Sequence, residues 1–171
     1  MIKVIVKNKI WSMKKIILMV CVLCLVHLRI QAQGKEQLQV LKKAKIGYEY
    51  VFGTWTAENE GETHLTYLGK FHASNGKTYQ VMTSKWLWGL SKRATNRILI
   101  FDGQNRYLGN YMVSVADDLP YKMEKGKMWF KNTEECPNRS LFSVDLRQGV
   151  PEKIFIECSK GAGDEYVFEK G

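Results

Sequence analysis

The stretch SKWLWGLSKRATNR, residues 84–97, sets two tryptophans two residues apart ahead of a run of cations. If that run is a strand, Trp86 and Trp88 share one face, because side chains on a strand alternate. Lys92, Arg93 and Arg97 follow in the connecting segment. An indole presents a flat, electron-rich face, and a guanidinium presents a planar fork of donors. Groups of these kinds side by side bind sugar rings, nucleobases or anionic ligands. The competing use is structural, with one tryptophan packed in a core and the cations covering a loop.

The other reactive residues form no comparable group. His64 and His72 are eight positions apart. On one strand they would share a face at roughly 27 Å, too far to hold one metal. A phosphate loop at SNGKT, 74–78, would need glycine where Phe71 stands. DGQN, 102–105, lacks the acidic alternation of a calcium loop. No nucleophile, base and acid stand in a recognisable spacing, so neither a catalytic residue, a cofactor nor a metal is assigned.

The first 32 residues read as an export signal rather than as domain. Met13-Lys14-Lys15 precedes the apolar run Ile16–Val26, and HLRIQAQG follows with small residues at its end. That is the basic, apolar and polar order of a secretory signal peptide, with cleavage expected after Ala32. The apolar run is shorter than the roughly 20 residues of a membrane span. Membrane contact is therefore expected only through the signal before cleavage, and the product is expected in a periplasm or outside the cell. Met13 is an alternative start. Cys21 and Cys24 follow Val20 and Leu23 rather than small residues, which disfavours a lipid anchor.

Cleavage changes the electrostatics. The whole chain has 26 basic and 17 acidic residues, net +9. Six of the basic residues and none of the acidic ones precede residue 33, which leaves 20 against 17, or +3. That is an ordinary solvated surface and not a nucleic-acid binder's footprint. Only Cys136 and Cys158 remain after cleavage. Two cysteines in an exported domain point to one structural disulfide.

Residues 33–46 form an N-terminal extension in which KEQLQVLKKAKI is the only helical pattern, and residues 47–171 form a single β domain. Turn residues recur there at short intervals, as in ASNGK, DGQN, EKGK, RQGVPE and KGAGD, with no long helical period between them. Phe142, Val144 and Leu146 alternate with polar neighbours, as do Ile154, Ile156 and Cys158. In THLTYLGKFH, strict alternation would place Leu65, Tyr67 and Phe71 together. Asn75-Gly76 reads as a tight hairpin turn with both residues at positive φ. Folding 140–147 against 152–159 about QGVP would bring Cys136 near Cys158 across one hairpin. The fold expected is an antiparallel meander closing into a barrel, with a two-sheet sandwich as the alternative.

Gly53-Thr54-Trp55 resembles the first signature of lipocalins and related calycin barrels. In that family the triplet starts the first strand, and its tryptophan packs across the barrel end beneath a basic side chain. The resemblance covers FGTW and the strands after it. The family's later Thr-Asp-Tyr-like triplet is missing, and GDEY at 163–166 comes in the last strand instead. The resemblance implies non-catalytic binding of a small apolar or aromatic ligand. Together with the residues above, it marks Trp55, Trp86, Trp88, Arg93 and Arg97 as candidate ligand contacts. The alternative partner is another protein of the cell envelope, met through an exposed face.

Overall fold

The computed structural model describes residues 34–56, 60–131, 133, 136 and 142–171. The expected signal peptide, its cysteines and its cleavage point lie outside these residues. The chain divides into two units, Met1–Gln39 and Val40–Gly171. A helix, α1, occupies 34–43, and the second unit begins within it.

Five strands of that second unit run as an antiparallel meander. They are β1 (Glu49–Trp55), β2 (Glu60–His72), β3 (Thr78–Trp88), β4 (Arg93–Asp102) and β5 (Tyr107–Val113). After a 3-10 turn at Ala116–Asp118, β6 (Lys122–Glu124), β7 (Lys127–Phe130) and β8 (Phe142–Asp145) form a separate three-stranded sheet. The chain then returns as β9 (Lys153–Ser159) and β10 (Ala162–Lys170), and β10 pairs with β5. The seven-stranded order is β1-β2-β3-β4-β5-β10-β9.

Among the described residues β1 and β9 are not paired with each other, so the large sheet stays open and the expected barrel is not formed. The reason lies after β5. The chain leaves the meander there to build the small sheet, and that sheet covers the apolar face which closure would otherwise have enclosed. The two-sheet alternative is the arrangement found.

Alternation sorts the large sheet into two faces. Its inner face carries Tyr79, Val81, Ile98, Ile100, Tyr111, Ile154, Ile156 and Tyr166, in one cluster with Met128, Phe130 and Leu146 from the small-sheet region. Its outer face carries Leu65, Tyr67, Met82, Leu99 and Phe101, covered at one end by Val40 and Leu41 from the last turns of α1. β-Branched and aromatic residues fill the inner face, whereas Leu65, Met82 and Leu99 join Tyr67 and Phe101 on the part of the outer face that α1 covers.

One β-bulge changes the expected pattern. The β2–β3 register shifts between Tyr67 and Gly69, and Gly69 sits at φ +126°. The extra residue reverses the alternation. Leu65 and Tyr67 therefore face outward, whereas Leu68 and Phe71 belong to the inner core. The expected common face of Leu65, Tyr67 and Phe71 is thus corrected. The same reversal puts His64 and His72 on opposite faces.

The disulfide forms between Cys136 and Cys158, with Cα atoms 4.9 Å apart. It does not cross a β8–β9 hairpin, because those strands belong to different sheets. It ties the β7–β8 connection to β9 at the edge of the large sheet. The Asn75-Gly76 turn also differs from expectation, since only Gly76 has positive φ, at +77°. Ala73 accepts from the Gly76 N–H and donates to Lys77 O, and Asn75 Oδ1 caps the Lys77 N–H, so Asn75 stays at negative φ. The Asp102–Arg106 turn follows the same plan, with Asn105 at φ +65°.

Gly53 stands near the end of β1, at φ +77°. A Cβ there would lie 2.6 Å from the Gly61 carbonyl oxygen on the paired strand. Gly53→Ala is expected to cost about 1–3 kcal/mol from strain and displacement of β2. Urea unfolding checks this, and a midpoint equal to wild type would contradict it.

Candidate functional site

β3 carries Trp86 and Trp88 onto the outer face, in phase with Met82 and Ser84. Cross-strand register places Thr63 and Thr95 beside Trp86, and Gly61 and Arg93 beside Trp88. The two indoles stack with centroids 5.8 Å apart and planes inclined by 27°. Trp88 Nε1 donates to Thr95 Oγ1 at 2.9 Å. The Arg93 guanidinium lies 5.7 Å over the Trp88 ring. Trp88 is thus fixed by a hydroxyl, a ring and a cation. Among the described residues only Trp88 stacks on Trp86, whose Nε1 edge lies over Gly61 and has no hydrogen-bond partner there. Both rings remain half-buried.

Arg97 stands one step further along β4, opposite Ser84 and Met112. Neither Arg93 nor Arg97 has a carboxylate within ion-pair distance among the described residues. The positive charge of Arg97 acts on the Tyr107 hydroxyl. Burial raises the Tyr107 pKa, against the lowering effects of its Asn110 hydrogen bond and of Arg97. A groove of about 390 Å³ lies between β4 and β5, lined by Ala94, Thr95, Met112, Val113, Ser114 and Glu169, and Thr95 is the residue it shares with the tryptophan pair. Asn96 lines it too, but its side chain is in phase with Ile98 and Ile100 on the inner face, where Oδ1 is buried without a hydrogen-bond partner among the described residues.

Of the five residues singled out from sequence, Trp86, Trp88 and Arg93 are brought together and Arg97 lies beside them. Trp55 does not join them. It pairs with Glu60, one step out of phase with the Gly61–Trp88 pair, so it faces the other side of the sheet. Its indole donates to Gly89 O at 2.9 Å, and Lys92 Nζ lies 5.0 Å over its ring. The basic neighbour of Trp55 is therefore Lys92, contributed by the β3–β4 turn. The Gly-x-Trp triplet ends β1 rather than starting it.

A polar group near Trp55 escaped the sequence reading. His64 Nε2 lies 2.7 Å from Glu62 Oε1, and Nδ1 is 3.1 Å from Glu49 Oε2 but out of hydrogen-bond alignment. Glu62 Oε2 also accepts the Trp55 backbone N–H. The His64 hydrogen bond, then the Trp55 N–H, hold the Glu62 carboxyl below its ordinary pKa. The signal was the i, i+2 spacing of Glu62 and His64, which puts both on one face of a strand. His72 is exposed, and Thr78 Oγ1 lies 2.8 Å from its Nδ1. The Trp55–Glu62 and Glu49–His64 contacts fasten β1 to β2, and His72–Thr78 joins β2 to β3.

A further buried pair serves the fold. Tyr166 donates to Asp118 Oδ2 at 2.6 Å, which anchors the 3-10 turn to β10. Burial, reinforced by that hydrogen bond, raises the Tyr166 pKa. No helix among the described residues is long and apolar enough to cross a membrane, and none of their His, Cys, Asp and Glu side chains group as a metal site. Comparison of the chain with protein families, with characterised proteins and with solved structures finds no match.

Proposed function

We propose that this chain is an exported, non-catalytic binding protein whose β domain holds a small apolar or aromatic ligand on the outer face of its large sheet. The supporting observation is the Trp86–Trp88 stack, in which Thr95 and Arg93 hold Trp88 and both rings stay half-buried. A tryptophan needed only for packing would be buried by its own chain. A fixed Trp88 with a partly bare Trp86 stacked on it forms a ready stacking surface, and its pre-orientation lowers the side-chain entropy lost on binding. The Cys136–Cys158 disulfide suits an oxidising compartment. The likeness to lipocalin signatures supports the ligand class but not the place, since Trp55 faces away from the stack.

The experiment is native mass spectrometry of the protein purified from its own host. Wild type is expected to retain a small molecule. The Trp86→Ala/Trp88→Ala double variant, with an unchanged circular dichroism spectrum, is expected to lose it. An adduct that persists in the folded variant, or none in wild type, would sink the proposal.

A second reading has an observation of its own. Alternation places Met112, Phe155 and Val167 on the same outer face, exposed at 46%, 43% and 49%. Clustered exposed apolar groups of this kind also suit a protein partner in the cell envelope.

A further inference from the structure

We infer that the ligand of this face carries a carboxylate or similar oxyanion beside its ring, and that Arg97 receives the oxyanion while Arg93 only positions Trp88. The inference rests on the binding role proposed above for the tryptophan pair. Trp88 already has Trp86 and Arg93 on its ring, whereas among the described residues Trp88 alone stacks on Trp86, whose N–H edge lies over Gly61. An arriving ring therefore stacks on Trp86, on the side away from Trp88. That side is the row formed by Ser84 and Arg97, because Trp86 lies between the Trp88–Arg93 and Ser84–Arg97 pairs.

The backbones of Arg93 and Arg97 are roughly 13 Å apart along β4 at strand rise, and the Arg93 guanidinium is already turned over Trp88. Arg97 is half-buried, unlike the exposed Arg93, and lacks an ion-pair partner among the described residues. A partly dehydrated guanidinium without a counterion favours an incoming oxyanion, which it can bind through two parallel hydrogen bonds. Glu169, the carboxylate that lines the neighbouring groove, also lies outside ion-pair distance of it. Thr95, between the arginines, is already engaged with Trp88 Nε1.

Two sources supply this chemistry, aromatic acids and uronic-acid sugars. The test is calorimetric titration of the folded protein with 2-naphthoate against 2-naphthamide, and with trigalacturonate against its methyl ester. At least one acid is expected to bind about tenfold or more tightly than its neutral counterpart, a difference of about 1.4 kcal/mol. The pair that shows the preference identifies the source. Arg97→Gln should erase the preference and Arg97→Lys should keep part of it. Arg93→Gln should weaken acid and neutral probe alike. Equal binding of acid and neutral probe, a preference that survives Arg97→Gln, or no binding of either acid overturns the inference. The adduct seen by native mass spectrometry judges the binding role separately, because it needs no charge on the ligand.

Discussion

Phe130→Ala should lower the unfolding free energy by about 3–5 kcal/mol, the range for removing a fully buried aromatic side chain. Phe130 is 0% exposed, and its ring lies 5.8 Å from that of Phe142. It belongs to the cluster in which the small sheet meets the inner face of β3, β4, β5, β9 and β10. The loss should appear in urea unfolding followed by circular dichroism, as a shifted midpoint with an unchanged slope. If the small sheet were a loosely attached flap, the cost would fall below about 1 kcal/mol, as for a surface substitution. The variant therefore tests whether two sheets share one core.

Removing the disulfide should have the second largest effect. Cys136 and Cys158 are 22 positions apart. Closing a loop of that size reduces the entropy of the unfolded chain by an amount worth about 3 kcal/mol of stability. A Cys136→Ala/Cys158→Ala double variant, or wild type under a strong reductant, should unfold at a correspondingly lower urea concentration. The slope should rise, because the uncrosslinked chain exposes more surface on unfolding. Identical curves with and without reductant would show that β9 is held by its pairing with β10 alone.

Much of the β architecture was legible because it depends on local pattern. The alternation of Ile154, Ile156 and Cys158 places the first two in the core and turns the third toward its disulfide partner. Trp86 and Trp88 could be put on one face for the same reason. What escaped depends on long-range choices. The bulge at Leu68-Gly69 reversed the alternation of β2, and its sequence signal was a glycine inside a strand pattern. The turn QGVP is compatible with a hairpin, and nothing local says that β8 and β9 enter different sheets. Pro151, whose carbonyl accepts the Tyr111 hydroxyl at 2.6 Å, was the available warning, since proline cannot donate to a ladder.

The candidate site was legible in part for the same reasons. Arg93 could be matched to Trp88 only once the β3–β4 register was known. Trp55 was grouped with the other tryptophans by residue type. Its facing is decided by the β1–β2 register, which sets it out of phase with Trp88.

The central claim is that ligand binds on the outer face at Trp86 and Trp88. The direct measurement follows the tryptophan indole N–H resonances by NMR during titration with 2-naphthoate. Trp86 and Trp88 should shift, with Trp86 moving most, while Trp55 and Trp129 stay in place. Shifts at Trp55 without movement of Trp86 would put the ligand on the opposite face and contradict the account.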